Sequence, residues 1–519
     1  MGVKCKCGYC PTVILPGIGQ SKVDLLDDEG KRIKSAWPLD LDEKALLKEI
    51  LPSALKMLAT RKDNGFTDTV AAAIKKALDP LACTNEGIVK NRLRVVSYPY
   101  SLAECTPEER RYIYKMVPLE QLSEVVGESH LYFFSYHSFG QVYETAKQLH
   151  SYIQMVKEKT GHDKVNLVPV SLGGSLAVAY LDAYGYKNDI NRVVNFVPAV
   201  NGSTVVADLM EGKLDFSNPA ELFEFIFGSG TAEKICSYLK FFPSGMADLL
   251  LKKTVAAAVE VIACNSPQIW AVVPHEKYTS LRAKYLCDGK HEALRAKADR
   301  FHRAHSDLAS LVKREQERGV EFFSICGYGR QLIPFCGSRD VNSDTVVDLK
   351  SASLGAYSPA FGEALPADYK NEHSNCSNPE HNHISPDRTV DASTSLIPDS
   401  VWFFKGQIHD DTAYNDVALL ICRELLTNKK FNSVYSDPRF PQFNGARNIR
   451  KIKYNLLPQA RELDVSGLPE AVKKELCDAV SECEKLFSYT IVEDNSLAQN
   501  ATERLAAALD SAKPQEAIK

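Results

Sequence analysis

At 519 residues, 45% hydrophobic and 25% charged, the chain carries enough apolar material for a large core and exceeds the usual span of one domain, which points to one big domain with insertions. The formal net charge is −4 and the basic residues are scattered rather than gathered into a stripe, which argues against a nucleic-acid partner. The 14 cysteines are dispersed through a chain too large to need disulfide staples, so reduced thiols are expected.

Taken in order, the N-terminal MGVKCKCGYC lacks the long apolar core of a secretory signal, and Lys6 stands where a myristoylation start prefers Ser or Thr. A cytoplasmic protein is expected. Cys5, Cys7 and Cys10 form the tight thiol cluster, with no second pair at zinc spacing nearby. Apolar and β-branched runs predict strands at 12–15, 93–98, 131–136, 164–170, 192–197, 320–326 and 401–404. Between the third and fourth, Val142, Ala146, Leu149, Ile153 and Val156 recur at helical spacing, which predicts an amphipathic crossover helix over 141–159, ended by Gly161. Alternating strands and helices imply an α/β fold with a largely parallel sheet.

The sheet pattern then stops over 203–318, where helical, charge-rich sequence reads as an inserted cap between core segments 1–202 and 319–428. An irregular interval at 336–399 is too long to be an idle connection, and such loops tend to carry function. After Glu424 the sheet is expected to be complete, and 429–519 reads as an extension with helices near 470–487 and 496–512. The longest uncharged run, 165–181, breaks into strand, turn and helix and is no membrane span, so no transmembrane segment is expected and contact with a membrane surface would be transient.

That run, VNLVPVSLGGSLAVAYL, puts Ser171 at the joint between strand and helix. A serine hydroxyl becomes a nucleophile only when a base takes its proton and donors stabilise the oxyanion that follows. A tight strand-to-helix turn exposes the hydroxyl and aims the first N–H groups of the helix at it. The usual G-x-S-x-G signature is met at Gly173 but not at Pro169. An ordinary serine in a strand–helix turn is the competing reading.

PTVILPGIGQSK, SAWPLDL, the Ser171 turn, NFVPAVNGS, NSPQIWAVVP, FFSICGYGRQLIP, NSDTVVDLKSASLG and FKGQIHDD follow one another in the order found in lecithin:cholesterol acyltransferase and lysosomal phospholipase A2. The chain resembles that family over about Pro11 to Asn428. The resemblance implies an α/β-hydrolase fold with Ser171 as nucleophile, Asp344 as acid and His409 as base, all at strand ends. His137, at the end of another strand, competes for the base, and Asp340 and Asp348 compete for the acid. The oxyanion hole is expected from the N–H groups of Leu172 and of Ile18 in the Pro16-Gly17-Ile18-Gly19 loop, although relatives carry an acidic residue where Ile18 stands. Gly17, His137 and Trp270 are candidate substrate contacts, as is the Phe223, Phe225 and Phe227 group, with a core role for Trp270 and these phenylalanines an equally supported reading.

In EHSNCSNPEHNHISPD, His373, Cys376, His381 and His383 could clamp a metal such as zinc, although their spacing matches no standard site and a solvated loop is the plainer reading. Serine chemistry needs no cofactor, and none is expected. The sequence thus predicts a serine hydrolase or acyltransferase acting on an acyl lipid or another hydrophobic ester. An amidase on the same residues, and a silent relative that binds lipid or protein, stay open, as does the oligomeric state.

Overall fold

The computed structural model describes residues 7–40, 42–218, 242–243, 245–486 and 496–512. The strands are β1 (Thr12–Leu15), β2 (Val23–Leu26), β3 (Arg32–Trp37), β4 (Leu93–Val95), β5 (Leu131–Phe133), β6 (Val165–Pro169), β7 (Ile190–Phe196), β8 (Glu321–Tyr328), β9 (Val401–Lys405) and β10 (Phe443–Gly445). A seven-stranded sheet runs in the order β10-β9-β8-β7-β6-β1-β5, with every neighbouring pair parallel. Parallel neighbours need long crossovers, which places helices over both faces and makes this an α/β fold.

Side chains alternate across the strands, so the sheet separates two apolar layers. Val13, Leu15, Leu167 and Phe403 face one layer, together with Leu149, Ile153 and Val156 of the helix Val142–Thr160 and with the helix Gly173–Tyr184. Ile14, Val168, Phe323 and Phe404 face the other, against Val417, Ile421 and Leu425 of the helix Asp416–Thr427. Each fully buried aliphatic or aromatic side chain contributes about 1.5–3 kcal/mol. The crossover helix falls where its periodicity predicts. Gln141 caps its first turn by accepting from the N–H groups of Tyr143 and Glu144, and Gly161, at φ +67°, ends it.

Three expectations need correction. The strand expected at 93–98 shortens to β4 and leaves the parallel sheet, pairing instead with β2 in the antiparallel sheet β3-β2-β4. β2 and β3 were not expected at all; β3, RIKSAW, is charged and half-exposed and lacks an apolar run. The sheet is also not complete after Glu424, because β10 adds an edge beside β9. Three residues, FNG, carry no period, and their strand state comes from pairing with β9.

Between β7 and β8 the named elements among the described residues are helices: Thr204–Glu211, Met246–Ile262, Pro267–Trp270, His275–Tyr285, Glu292–Ser306 and Leu308–Glu317. Phe223, Phe225 and Phe227 lie outside the described residues. At the C-terminal end the helices Glu470–Lys485 and Ser496–Ala512 share a separate apolar cluster that includes Leu476, Ala479, Leu505 and Ile452. Among the described residues no helix is long and apolar enough to cross a membrane.

Candidate active site

Ser171 has φ +52°, a left-handed conformation that a serine holds only where its surroundings impose it. Its N–H donates to Phe196 O at 3.1 Å, and its carbonyl accepts from Gly174 N–H at 2.9 Å and Ala199 N–H at 2.8 Å. The turn is thereby tied to the end of β7 and to its own helix. Close packing explains the glycines that follow. A Cβ at Gly173 would lie 2.4 Å from Leu15 O, and one at Gly174 would lie 2.9 Å from Pro198 Cβ. The helix can start this near β1 only without side chains there. Pro169, the departure from the usual pattern, is buried at the end of β6 in register with Leu15.

His409 follows β9 at the start of a short helix, His409–Thr412, and its N–H donates to Asp344 O at 2.7 Å. Its Nε2 lies 2.9 Å from Ser171 Oγ and its Nδ1 2.7 Å from Asp344 Oδ2. Asp344, in the loop between β8 and β9, is 0% exposed, and its Oδ1 accepts the N–H groups of Val346 at 3.0 Å and Val347 at 2.7 Å. Residues 171, 344 and 409 therefore form one hydrogen-bonded chain. Burial pulls the His409 pKa down, but the Asp344 charge and hydrogen bond, helped by Asp410, outweigh it and leave it above 6.5.

The competitors lie elsewhere. Asp340 is exposed at the surface. Asp348 accepts from Thr204 N–H at 3.0 Å and Thr204 Oγ1–H at 2.8 Å, and burial pushes its carboxyl up to about 7. His137 lines a different cavity of about 470 Å³, and Trp270 is 0% exposed in the core, its Nε1–H donating to Cys264 O at 2.8 Å. Neither borders the space above Ser171, so their expected substrate contacts are not what the structure brings together.

The loop after β1 lies directly on the serine: a Cβ at Gly17 would come 3.0 Å from Ser171 Cβ. Tyr136 Oη–H donates to Pro16 O at 2.6 Å, Trp37 Nε1–H to Gly19 O at 2.6 Å and Gln20 Nε2–H to Met116 O at 3.1 Å, so the loop is pinned at three points. Gly17 N–H is engaged by Gln20 Oε1 at 2.6 Å and Gly19 N–H by Ser138 Oγ at 3.2 Å. The N–H groups of Ile18 and Leu172 have no acceptor among the described residues. They are the free donors next to Ser171. No single-residue signal in the sequence marked Trp37, Tyr136 or Gln20 as braces, although Gln20 lies in PTVILPGIGQSK and Trp37 in SAWPLDL.

A cavity of about 370 Å³ opens above Ser171 and His409, walled by Ile18, Met116, Val346 and Tyr414, with Lys115 and Arg450 on its lining. The Arg450 guanidinium lies 4.7 Å from the centre of the Tyr414 ring. Arg450 belongs to the 429–519 segment, and the sequence reading placed no wall residue there. In the loop 336–399, Cys376, His381 and His383 cluster with Asp399, while His373 is not part of that cluster.

No protein-family model and no curated protein matches the chain. Among solved structures it is similar to a lipase-esterase related protein from Clostridium acetobutylicum ATCC 824, at 13% identity and a TM-score of 0.16, over 36% of this chain and 87% of that one.

Proposed function

We propose that the chain is a serine hydrolase or acyltransferase that cleaves a carboxylic ester through an acyl-serine intermediate, and that it is a distant relative of the lecithin:cholesterol acyltransferase and lysosomal phospholipase A2 family. The observation that carries this reading is the chain of contacts from Asp344 through His409 to Ser171, at 2.7 Å and 2.9 Å, on a strained strand–helix turn.

In the first half-reaction His409 Nε2 takes the Ser171 proton as Oγ bonds to the ester carbon, and the carbonyl electron pair moves onto oxygen. The N–H groups of Leu172 and Ile18 receive that charge; one such donor is worth about 10²–10³-fold in rate. Asp344 keeps the Nδ1 proton in place and stabilises the imidazolium. Collapse of the intermediate breaks the C–O bond, and His409 returns the proton to the leaving alcohol. Water or a second alcohol then repeats the sequence on the acyl-serine. The apolar wall of Ile18, Met116 and Val346 suits a hydrophobic acyl group.

Labelling with a fluorophosphonate probe tests the reading: the wild type labels covalently and Ser171→Ala does not. Equal labelling of both, or of neither, overturns it. Paired esters and amides of one acyl group separate an esterase from an amidase, and a silent binder turns over neither.

A further inference from the structure

At the root of β9, opposite the end that leads to His409, four side chains from the 336–399 loop converge. Cys376, His381 and His383 come from the pattern C-x4-H-x-H, and Asp399 from two residues before the strand. Asp399 Oδ1 lies 2.9 Å from His381 Nδ1 and 3.2 Å from His383 Nε2. Cys376 Sγ lies 3.6 Å from His381 Nδ1 and 3.9 Å from Asp399 Oδ1. All four atoms fall within 4.8 Å of one another. With zinc–sulfur near 2.3 Å and zinc–nitrogen or –oxygen near 2.0–2.1 Å, a tetrahedron sets its ligand atoms about 3.3–3.6 Å apart. The four distances above, 2.9–3.9 Å, bracket that range.

Hydrogen bonding around His383 independently points to a ligand. The Gln442 amide donates from Nε2 to Pro398 O at 2.8 Å and to Val401 O at 3.2 Å, so its Oε1 faces His383 and accepts the Nδ1–H at 2.9 Å. Nδ1 is thereby committed as a donor, and Nε2 is the ring atom that faces the Asp399 carboxylate. The His383 side chain is 3% exposed, and Nε2 makes no hydrogen bond there despite the oxygen at 3.2 Å. Nε2 is buried and unbonded while the Asp399 carboxylate beside it is 41% exposed, and a cation between the two gives the ring nitrogen a partner. An amide or carbonyl that fixes the other nitrogen is the usual support of a metal-binding histidine. Ion pairing to Asp399 would account by distance for His381 and His383, but not for the thiol or for the lack of a hydrogen bond at His383 Nε2.

We propose that Cys376, His381, His383 and Asp399 bind a zinc-class divalent cation in a closed tetrahedral site. Thiolate and imidazole donors select zinc over calcium or magnesium, which prefer oxygen. Four protein ligands leave no open position, so the ion is structural. β9 has 5 residues, so about 16 Å of strand separates the cluster from the His409 end. The ion clamps the loop to the start of β9 and, through Gln442, to the approach to β10. It takes no part in the ester chemistry. The sequence reading had named His373 in place of Asp399.

Metal analysis of protein expressed with zinc tests the proposal. Cys7 Sγ also lies 3.0 Å from His130 Nε2 and 3.5 Å from His162 Nε2, so the quantity read is a difference. Cys376→Ser and His383→Ala each lose one equivalent of zinc relative to the wild type. Gln442→Leu keeps the ligands and binds zinc about 10–100-fold more weakly, with Ser171 labelling retained. In a Cys7→Ser background, cobalt gives the intense visible bands of a tetrahedral ion with a thiolate charge-transfer band. Unchanged zinc content in both ligand variants overturns the proposal. If those variants do not fold, a cobalt spectrum without tetrahedral or thiolate bands in the Cys7→Ser protein overturns it instead.

Discussion

Replacing Asp344 with Asn changes one atom, and the surrounding hydrogen bonds dictate which way the new amide faces. Val346 and Val347 both donate N–H groups to Oδ1, at 3.0 Å and 2.7 Å. Only the amide oxygen satisfies two donors, so the NH2 group takes the place of Oδ2, 2.7 Å from His409 Nδ1. Nδ1 must then accept, the ring proton moves to Nε2, and that proton points at Ser171 Oγ, 2.9 Å away. The imidazole can no longer take the serine proton, and the charge that stabilised the imidazolium is gone. The expected loss in kcat is about 10³–10⁴-fold, or about 4 to 5.5 kcal/mol of barrier. Hydrolysis of p-nitrophenyl esters and the rate of fluorophosphonate labelling should fall together, while the unfolding midpoint, measured in urea, stays near that of the wild type because the shape is unchanged. An Asn variant within tenfold of wild type would refute the pairing of Asp344 with His409.

Because the His409 pKa is raised, the base is neutral only above a pH higher than 6.5; kcat/KM should therefore fall on the acid side with a midpoint above 6.5, and a midpoint at or below 6.5 contradicts the assignment. Gly173→Ala puts a Cβ 2.4 Å from Leu15 O and forces the helix away from β1, with an expected loss of about 1–3 kcal/mol in urea unfolding and a matching drop in Ser171 labelling. Burial holds His137 and His305 at about 4 and His302 at about 3 in the folded chain. The unfolded chain binds protons from about pH 6.5 downward and the folded one does not, so stability falls between pH 6.5 and 4 by about 1.4 kcal/mol per pH unit for each histidine. Urea titrations at several pH values read that slope, and a flat profile rules out neutral burial.

Strands buried on both faces were legible because a continuous apolar run of four to eight residues has few other readings: β1, β6, β7, β8 and β9 fall where they were expected. The serine turn was legible for a different reason, since Ser171 and the two glycines behind it are consecutive in sequence. β2, β3 and β10 were not. They are partly exposed and defined by partners, and β10 is paired to a strand some forty residues earlier. The cavity wall was opaque for the same reason: Met116, Tyr414 and Arg450 come from three distant segments, none of which carries a motif. For Trp270, read as either a substrate contact or a core residue, the core reading holds: its ring packs edge-on against Tyr278 and Tyr285 and its N–H is already bonded.

Arg450 lies on the wall of the Ser171 cavity, yet it arrives five residues after β10, the last strand of the parallel sheet, and just ahead of the helices that share their own apolar cluster. On the proposed function, one wall residue of the pocket thus comes from outside residues 1–428, the stretch that holds the reacting groups, while Ile18, Met116, Val346 and Tyr414 come from within it. Changes beyond residue 428 can thereby alter one side of the pocket while leaving Ser171, Asp344 and His409 untouched.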